Sequence, residues 1–342
     1  MGIDSDDRLL HSGIGINDEH EKIVRERLLS KSILPSFNYD DTEGSKYHYT
    51  SPQGLLGIMR TRTFFFTDSQ FLNDYREKVS INDELDYFWN HESRRYEKRF
   101  RDLLKNIRVT QHEDDGFSYI DKELSGICRY FVFSTSMDGD CLSMWKYYTK
   151  AANYDGYCLE LFDMALDDEW IDRTTGAAVI AGQVKYNWEE KQETIRAVVN
   201  RLYTIWKSYQ YSDLLDKKVK REFASWISVE ALFFKDECFK DERETRYIAV
   251  VPKDRLNDMY YEYNGVRHKM YDFRIVNGMF IPYIKMPFNG WNQEECWAIR
   301  SIRIGPSDNA DQKEAGLSQF MKSLDYELEE CRIKKSRIPV RY

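Results

Sequence analysis

Glu242-Arg243-Glu244-Thr245-Arg246 places two carboxylates and a guanidinium at alternate positions, directly before the apolar run Tyr247-Ile248-Ala249-Val250. The run reads as the buried half of a strand, so Glu242, Glu244 and Arg246 are predicted to share one strand face, the carboxylates about 7 Å apart along it. Carboxylates so spaced can clamp a hydroxyl, hold a metal ion or serve as a general-base pair. Met alone, Glu-x-Glu-x-Arg is more often a solvated ion-pair ladder. Two other stretches favour chemistry. Tyr47-His48-Tyr49-Thr50 lies on a predicted first strand, and Phe133-Ser134-Thr135-Ser136 carries hydroxyls out of the end of another. On a period of two, Ser134 and Ser136 face one way and Phe133 and Thr135 the other. Each has a structural alternative: a hydrogen-bonded core histidine for His48, a turn or helix cap for the serines.

The elements that must position these groups follow from local pattern. Ser51-Pro52 reads as an N-cap with proline at the first helical position, opening a short helix over 53–60. Thr63 to Thr67 is a buried strand, and the loop behind it carries Asn73, Asp74 and Glu77, polar residues of the kind from which sites are built. Residues 80–110 predict a long charged helix or helix pair, whose Arg94 to Arg101 cluster reads as a solvated face. Arg129 to Ser136 is a strand, and Asp138 or Asp140 is expected to cap a helix from Cys141 that carries Trp145, Tyr147 and Tyr148. Strands are predicted near 155–162 and 179–186, and two helices over 188–234. Asn264-Gly265 stands out as the hairpin signal, between strands 259–263 and 266–271. Later strands, a helix over 310–324 and an extended C-terminal segment complete the chain. Irregular alternation with hairpins predicts an α+β fold. The expected organisation is an N-terminal helical extension and linker, 1–45, then a single domain over 46–342 with a helical insertion at 188–234.

Composition bounds the function. With 342 residues, 42% hydrophobic and 15% aromatic, the chain can bury a sizeable core. A net charge of −8 argues against nonspecific coating of nucleic acid but leaves a nucleic-acid substrate open. Six scattered cysteines form no C-x-x-C pair, so neither a zinc cluster nor a disulfide framework is signalled, and free thiols suit a cytoplasmic location. No apolar run reaches the roughly 20 residues of a membrane span, so no membrane partner is expected. Nucleotide-cradling glycine loops, a nucleophile elbow and a zinc-protease helix motif are all missing from the sequence.

Several short motifs in one order resemble a bacterial family. They are Tyr47-His48-Tyr49-Thr50; Phe71-x-Asn73-Asp74-x-x-Glu77; Phe133-Ser134 with Met144-Trp145-x-x-Tyr148; Gly156-x-Cys158-Leu159-Glu160; Lys235 with Glu242-x-Glu244-x-Arg246; Ile302-x-Ile304-Gly305-Pro306; and Ser336-x-Ile338-Pro339-x-Arg341. Together, across about 46–342, they look like the family catalogued as domain of unknown function 2971. A second resemblance is to ADP-ribosyltransferases, which carry a His or Arg, a Ser-Thr-Ser element and a Glu-x-Glu in the order of His48, Ser134 to Ser136 and Glu242 to Glu244. It implies a split mixed or antiparallel sheet with flanking helices and NAD as substrate. His48 and Tyr49 would bind the dinucleotide, Ser134 and Ser136 would support the nicotinamide pocket, and Tyr147 or Tyr148 would stack on nicotinamide. Asn73 and Arg246 would lie at the binding site. Glu244 would hold the ribose hydroxyl and stabilise an oxocarbenium-like transition state, and Glu242 would orient or deprotonate the acceptor. The acceptor would be a protein or a nucleic acid, the setting antiviral defence or a toxin, with a homo-oligomer or a defence-system partner as further expectations. Two other readings stay open: a Mg²⁺ nuclease built on Asp74, Glu77, Glu242 and Glu244 with Lys235 and Arg246 on the phosphate, and a sensor that binds a nucleotide or phage component without turnover.

Overall fold

The computed structural model describes residues 44–72, 80–109, 128–149, 155–162, 178–208, 213–263, 265–287, 298–326 and 331–339. The expected N-terminal helix and the Asn73-Asp74-Glu77 loop lie outside them.

The architecture turns on β3 (Cys128–Ser136), whose alternating Phe131, Phe133 and Thr135 against Val132, Ser134 and Ser136 give it two different faces. One edge of β3 pairs antiparallel along its whole length with β6 (Glu244–Pro252), which in turn pairs with β5 (Ala178–Gln183). The other edge is shared by two strands. β2 (Thr63–Asp68) pairs at Phe131 and Val132, and β1 (Lys46–Thr50) pairs only at Ser136. Among the described residues Phe133 to Thr135 have no strand partner on that edge, so the sheet forks. One branch continues from β1 to β4 (Tyr157–Leu161), β11 (Ile299–Ile304) and β12 (Arg332–Lys335). The other runs from β2 to β10 (Met279–Pro287) and β9 (Tyr271–Val276). Among the described residues every pairing between named strands is antiparallel except β11 with β12, and helices flank the sheet, as the α+β expectation requires.

Each sheet face buries its own core. Phe64, Phe66, Phe131, Phe133, Leu159 and Ala249 pack with Leu55, Ile58 and Met59 of α1 (Pro52–Thr61) and with Leu317 and Met321 of α7 (Ala310–Lys322). Val132 and Ile248 on the opposite face pack under a helical layer: α2 (Ser80–His91), α3 (Lys98–Leu104), α5 (Trp188–Ser208) and α6 (Asp213–Glu230). Trp206 and Trp226 belong to that layer, in keeping with aromatic side chains spent on packing. Truncating a ring as enclosed as Phe133 to alanine costs about 3–5 kcal/mol.

Local chemistry sets the turns that frame the fork. Ser51 caps α1, its Oγ accepting from Gly54 N at 3.1 Å with Pro52 at the first helical position, and Arg62 at φ 50° ends the helix. Gly54 is required by close approach, because a Cβ there would lie 2.1 Å from Thr50 Oγ1. α4 (Leu142–Tyr148) departs from expectation: Cys141 stands at its N-cap, and neither aspartate caps it. Asp140 instead accepts from Trp145 Nε1, Ser336 Oγ and Arg337 N at 2.6–2.9 Å, fastening the C-terminal segment to the sheet. The hairpin expected around Gly265 forms as β7 (Tyr260–Tyr263) with β8 (Val266–Lys269). The strand predicted to run on to Tyr271 is broken at Met270, which is fully buried and hydrogen-bonds Met259 O and Lys285 N. Beyond it the chain enters the main sheet as β9 and reverses through Asn277 (φ 51°) and Gly278 (φ 79°), the left-handed pair of a tight hairpin turn.

Candidate functional site

A cleft of about 760 Å³ occupies the fork. β1 and the start of α1 supply His48, Thr50 and Gln53, β2 supplies Phe65 and Thr67, and β3 supplies Ser134 between them. Tyr148 of α4, Glu242, Glu244 and Arg274 complete the chemistry-bearing wall. A volume of this size suits a ligand as large as a nucleotide.

His48 sits where the β1 and β2 branches part. Its Nδ1 lies 2.9 Å from Ser134 O, and its ring stacks on Phe133 at 4.4 Å between centroids. A carbonyl only accepts, so Nδ1 carries the proton and Nε2 keeps its lone pair for a hydroxyl donor. Loss of hydration on burial, with the nearby Arg274 charge, outweighs the Ser134 bond and brings the imidazole down from 6.5 to about 4. His48 is therefore a neutral hydrogen-bond acceptor at physiological pH.

The acidic pair is buried rather than solvated, with Glu242 6% and Glu244 4% exposed. It does not lie on one uninterrupted strand face. β6 begins at Glu244, and Glu242 closes a 3-10 turn that Arg243, in the left-handed region at φ 44°, joins to the strand. The two carboxylates still meet through Lys235, whose Nζ donates to Glu242 Oε2 at 2.5 Å and to Glu244 Oε2 at 3.1 Å. Arg246 grips Glu244 with two bonds, Nε to Oε1 at 2.8 Å and Nη2 to Oε2 at 2.9 Å, and donates Nη1 to Leu232 O. Burial alone would raise the Glu244 carboxyl, but the Arg246 and Lys235 charges, with bonds from Arg246 and Ser134, prevail and hold it down to about 2. Glu244 is thus an ionised carboxylate at physiological pH, with both oxygens engaged. Glu242 differs: Lys235 and the Tyr148 hydroxyl (3.0 Å) both bond Oε2, and among the described residues no hydrogen bond ends on Oε1.

The cluster is polar in a useful sense. Both carboxylates line the cleft while Lys235 and Arg246 stand behind them, so it presents its negative end to whatever the cleft holds. Backbone bonds fix this arrangement: Ser136 Oγ donates to Glu242 O at 2.7 Å, and Glu244 N donates to Tyr186 Oη at 3.0 Å. Such preorganisation is what a developing positive charge needs.

The structure sorts the sequence-derived candidates. His48, Ser134, Tyr148, Glu242 and Glu244 converge on the cleft. Tyr49 also lines it, but its hydroxyl is spent between Asp138 O and Cys141 N, at 2.8 and 2.9 Å. Ser136 and Arg246 are buried behind the wall and act by holding the glutamates. Tyr147 is 63% exposed and is not part of the lining, because the helical turn that brings Tyr148 inward sends its neighbour out. Asn73 lies outside the described residues. Among those that are described, no group of three His, Cys, Asp or Glu side chains is arranged to hold a metal ion, and no helix is long and apolar enough to cross a membrane. Sequence reasoning missed Arg274, which reaches the cleft from β9; its signal was the second Asn-Gly pair, 277–278, whose hairpin delivers it.

Comparison with known proteins bears on part of this site. No curated protein and no solved structure matches the chain. The likeness to ADP-ribosyltransferases rests on the order of His48, Ser134 to Ser136 and Glu242 to Glu244 alone. A family model described as a protein of unknown function (DUF2971) matches residues 144–247, which carry Tyr148, Lys235, Glu242, Glu244 and Arg246. Over that segment, from α4 into β6, the chain is similar to the DUF2971 family that its motifs resemble.

Proposed function

We propose that the cleft binds NAD and transfers its ADP-ribosyl group to a nucleophile on a protein or nucleic acid. The observation that carries this reading is the convergence of a neutral acceptor, His48 Nε2, with two cation-paired glutamates on the lining of the same nucleotide-sized cleft. His48 and Ser134 would hold ribose and carboxamide groups, and Tyr148 would lie against the nicotinamide. As the glycosidic bond breaks, nicotinamide leaves with the bonding pair and positive charge spreads over ribose C1′ and its ring oxygen. The inward negative end of the Glu242–Glu244 cluster stabilises that charge. The acceptor's lone pair then forms the new bond to C1′, and its proton passes to Glu242 Oε1.

This assigns the glutamates differently from the sequence resemblance. Glu244, with both oxygens engaged, is a fixed electrostatic partner, and Glu242 with its unoccupied Oε1 is the group that meets substrate. A magnesium site is less well supported, because Lys235 and Arg246 already balance both carboxylates. The test is release of free nicotinamide from NAD by the purified protein, with and without cell lysate. Wild-type release that Glu242→Gln abolishes supports transfer or hydrolysis, and labelled NAD then identifies the acceptor. Binding of NAD without release would leave a sensor.

A further inference from the structure

The cleft carries one charge that the proposed chemistry at the glutamates does not use. Its described lining includes three carboxylates, and each has a cation: Asp155 pairs with Lys313, Glu242 with Lys235, and Glu244 with Lys235 and Arg246. Arg274 has no carboxylate among the described residues. Its Nη2 donates to Thr67 Oγ1 at 2.7 Å and its guanidinium lies 5.7 Å from the centre of the Tyr283 ring, while Nε is enclosed with no hydrogen-bond partner among the described residues. Asp272, two residues away on the same strand face, is taken by Lys285 at 2.6 Å. A guanidinium stays charged under any physiological condition, and one partly withdrawn from water with no carboxylate beside it is stabilised by an incoming anion.

Two features identify the anion. The start of α1 lines the same cleft and its dipole favours negative charge; Pro52 has no N–H and Ser51 takes those of Gly54 and Leu55, which leaves the Gln53 N–H for a ligand. The cleft is also bipolar, with a negative end at Glu242 and Glu244 and an unmatched cation at Arg274. That distribution complements a molecule with a cationic ring at one end and phosphates further along.

We propose that Arg274, oriented by Thr67, is the phosphate-binding residue of the cleft and holds the diphosphate of the dinucleotide. The inference rests on the NAD reading for the identity of the ligand, while the charge argument stands for any nucleoside diphosphate. Recognition here is by side chain, in keeping with a sequence that has no phosphate-cradling glycine loop.

Calorimetric titration of the full chain with ADP-ribose, ADP and nicotinamide riboside tests it without turnover. Arg274→Gln is expected to weaken ADP-ribose and ADP at least about tenfold and to leave the riboside, which has no phosphate, unchanged. Wild-type affinity for ADP-ribose should fall as salt rises, with a shallower dependence in the variant. Thr67→Val, which keeps the charge and loses its 2.7 Å anchor, should give a smaller loss in the same direction and guards against a folding defect in the first variant. Failure of wild type to bind either phosphate compound, or equal affinity in wild type and Arg274→Gln, overturns the subsite. Release of nicotinamide with an unchanged KM for NAD in Arg274→Gln would overturn the subsite and leave the transfer reading standing. Arg274-dependent binding of ADP by a protein that never releases nicotinamide would do the reverse.

Discussion

The same residue types make ion pairs in two regions of this molecule, with opposite consequences. On α3 and its C-cap, Lys98 and Lys105 both bond Asp102 at 2.6 Å, and all three side chains are well exposed. At the fork, Lys235, Glu242, Glu244 and Arg246 make bonds of similar length with side chains at most 8% exposed. Water screens the first set, and either partner can leave it at little cost. In the second set every charge depends on its neighbours, and removing one leaves a buried charge unmatched. Ion-pair geometry alone therefore does not mark a site here. Burial, and the fact that the carboxylates face a cleft while the cations do not, mark it.

The largest effect expected from breaking this contrast is at Glu244. Glu244→Ala strands Arg246 and Lys235 in the interior, so it should lose about 3–5 kcal/mol of stability along with all activity, read by chemical denaturation and nicotinamide release. Activity loss in that variant alone says nothing about chemistry. Glu242→Gln is the sharper change, since it keeps shape and the Tyr148 contact. It should lower activity at least about a hundredfold while costing about 1–2 kcal/mol.

His48 gives the next effect, and its sign follows from its depressed pKa. In the unfolded chain His48 takes a proton below about 6.5, whereas in the folded protein it stays neutral to about 4, so lowering pH through that window reduces stability. Glu244 acts below it: ionised in the fold to about 2, it loses its stabilising contribution as pH falls from the ordinary carboxylate range towards that value. Ligand affinity at the cleft should be flat from pH 8 to 5 and fall near pH 4, measured by titration in buffers of constant ionic strength. A midpoint near 6.5 would contradict the His48 environment. The smallest effect belongs to the exposed set, where Asp102→Ala should leave melting temperature and nicotinamide release at wild-type values.

Much of this frame was legible in the sequence, because its signals are local. The hydroxyl-bearing end of β3 and the Ser51-Pro52 start of α1 follow from period and capping. What failed depended on partners distant in the chain. Asp140 reads as a helix cap until Ser336 and Arg337, nearly two hundred residues on, take its oxygens. Glu242 and Glu244 read as one strand face until the left-handed Arg243 separates turn from strand. Tyr147 and Tyr148 are equivalent in sequence, and only the packing of α4 tells inward from outward. Arg274 was hidden because Asn264-Gly265 drew the hairpin assignment while Asn277-Gly278 built the turn beside the cleft.

Glu242, on the cleft lining with no hydrogen bond ending on Oε1 among the described residues, is proposed to meet the substrate while Glu244 holds the site together. Nicotinamide release from NAD by wild type, Glu242→Gln and Glu244→Gln, each first shown to be folded by its melting curve, tests this most directly. Wild type is expected to release nicotinamide, a stable Glu242→Gln to release none, and Glu244→Gln to show a lowered melting temperature with partial release. Full release by Glu242→Gln, or none by wild type with lysate present, would contradict that assignment.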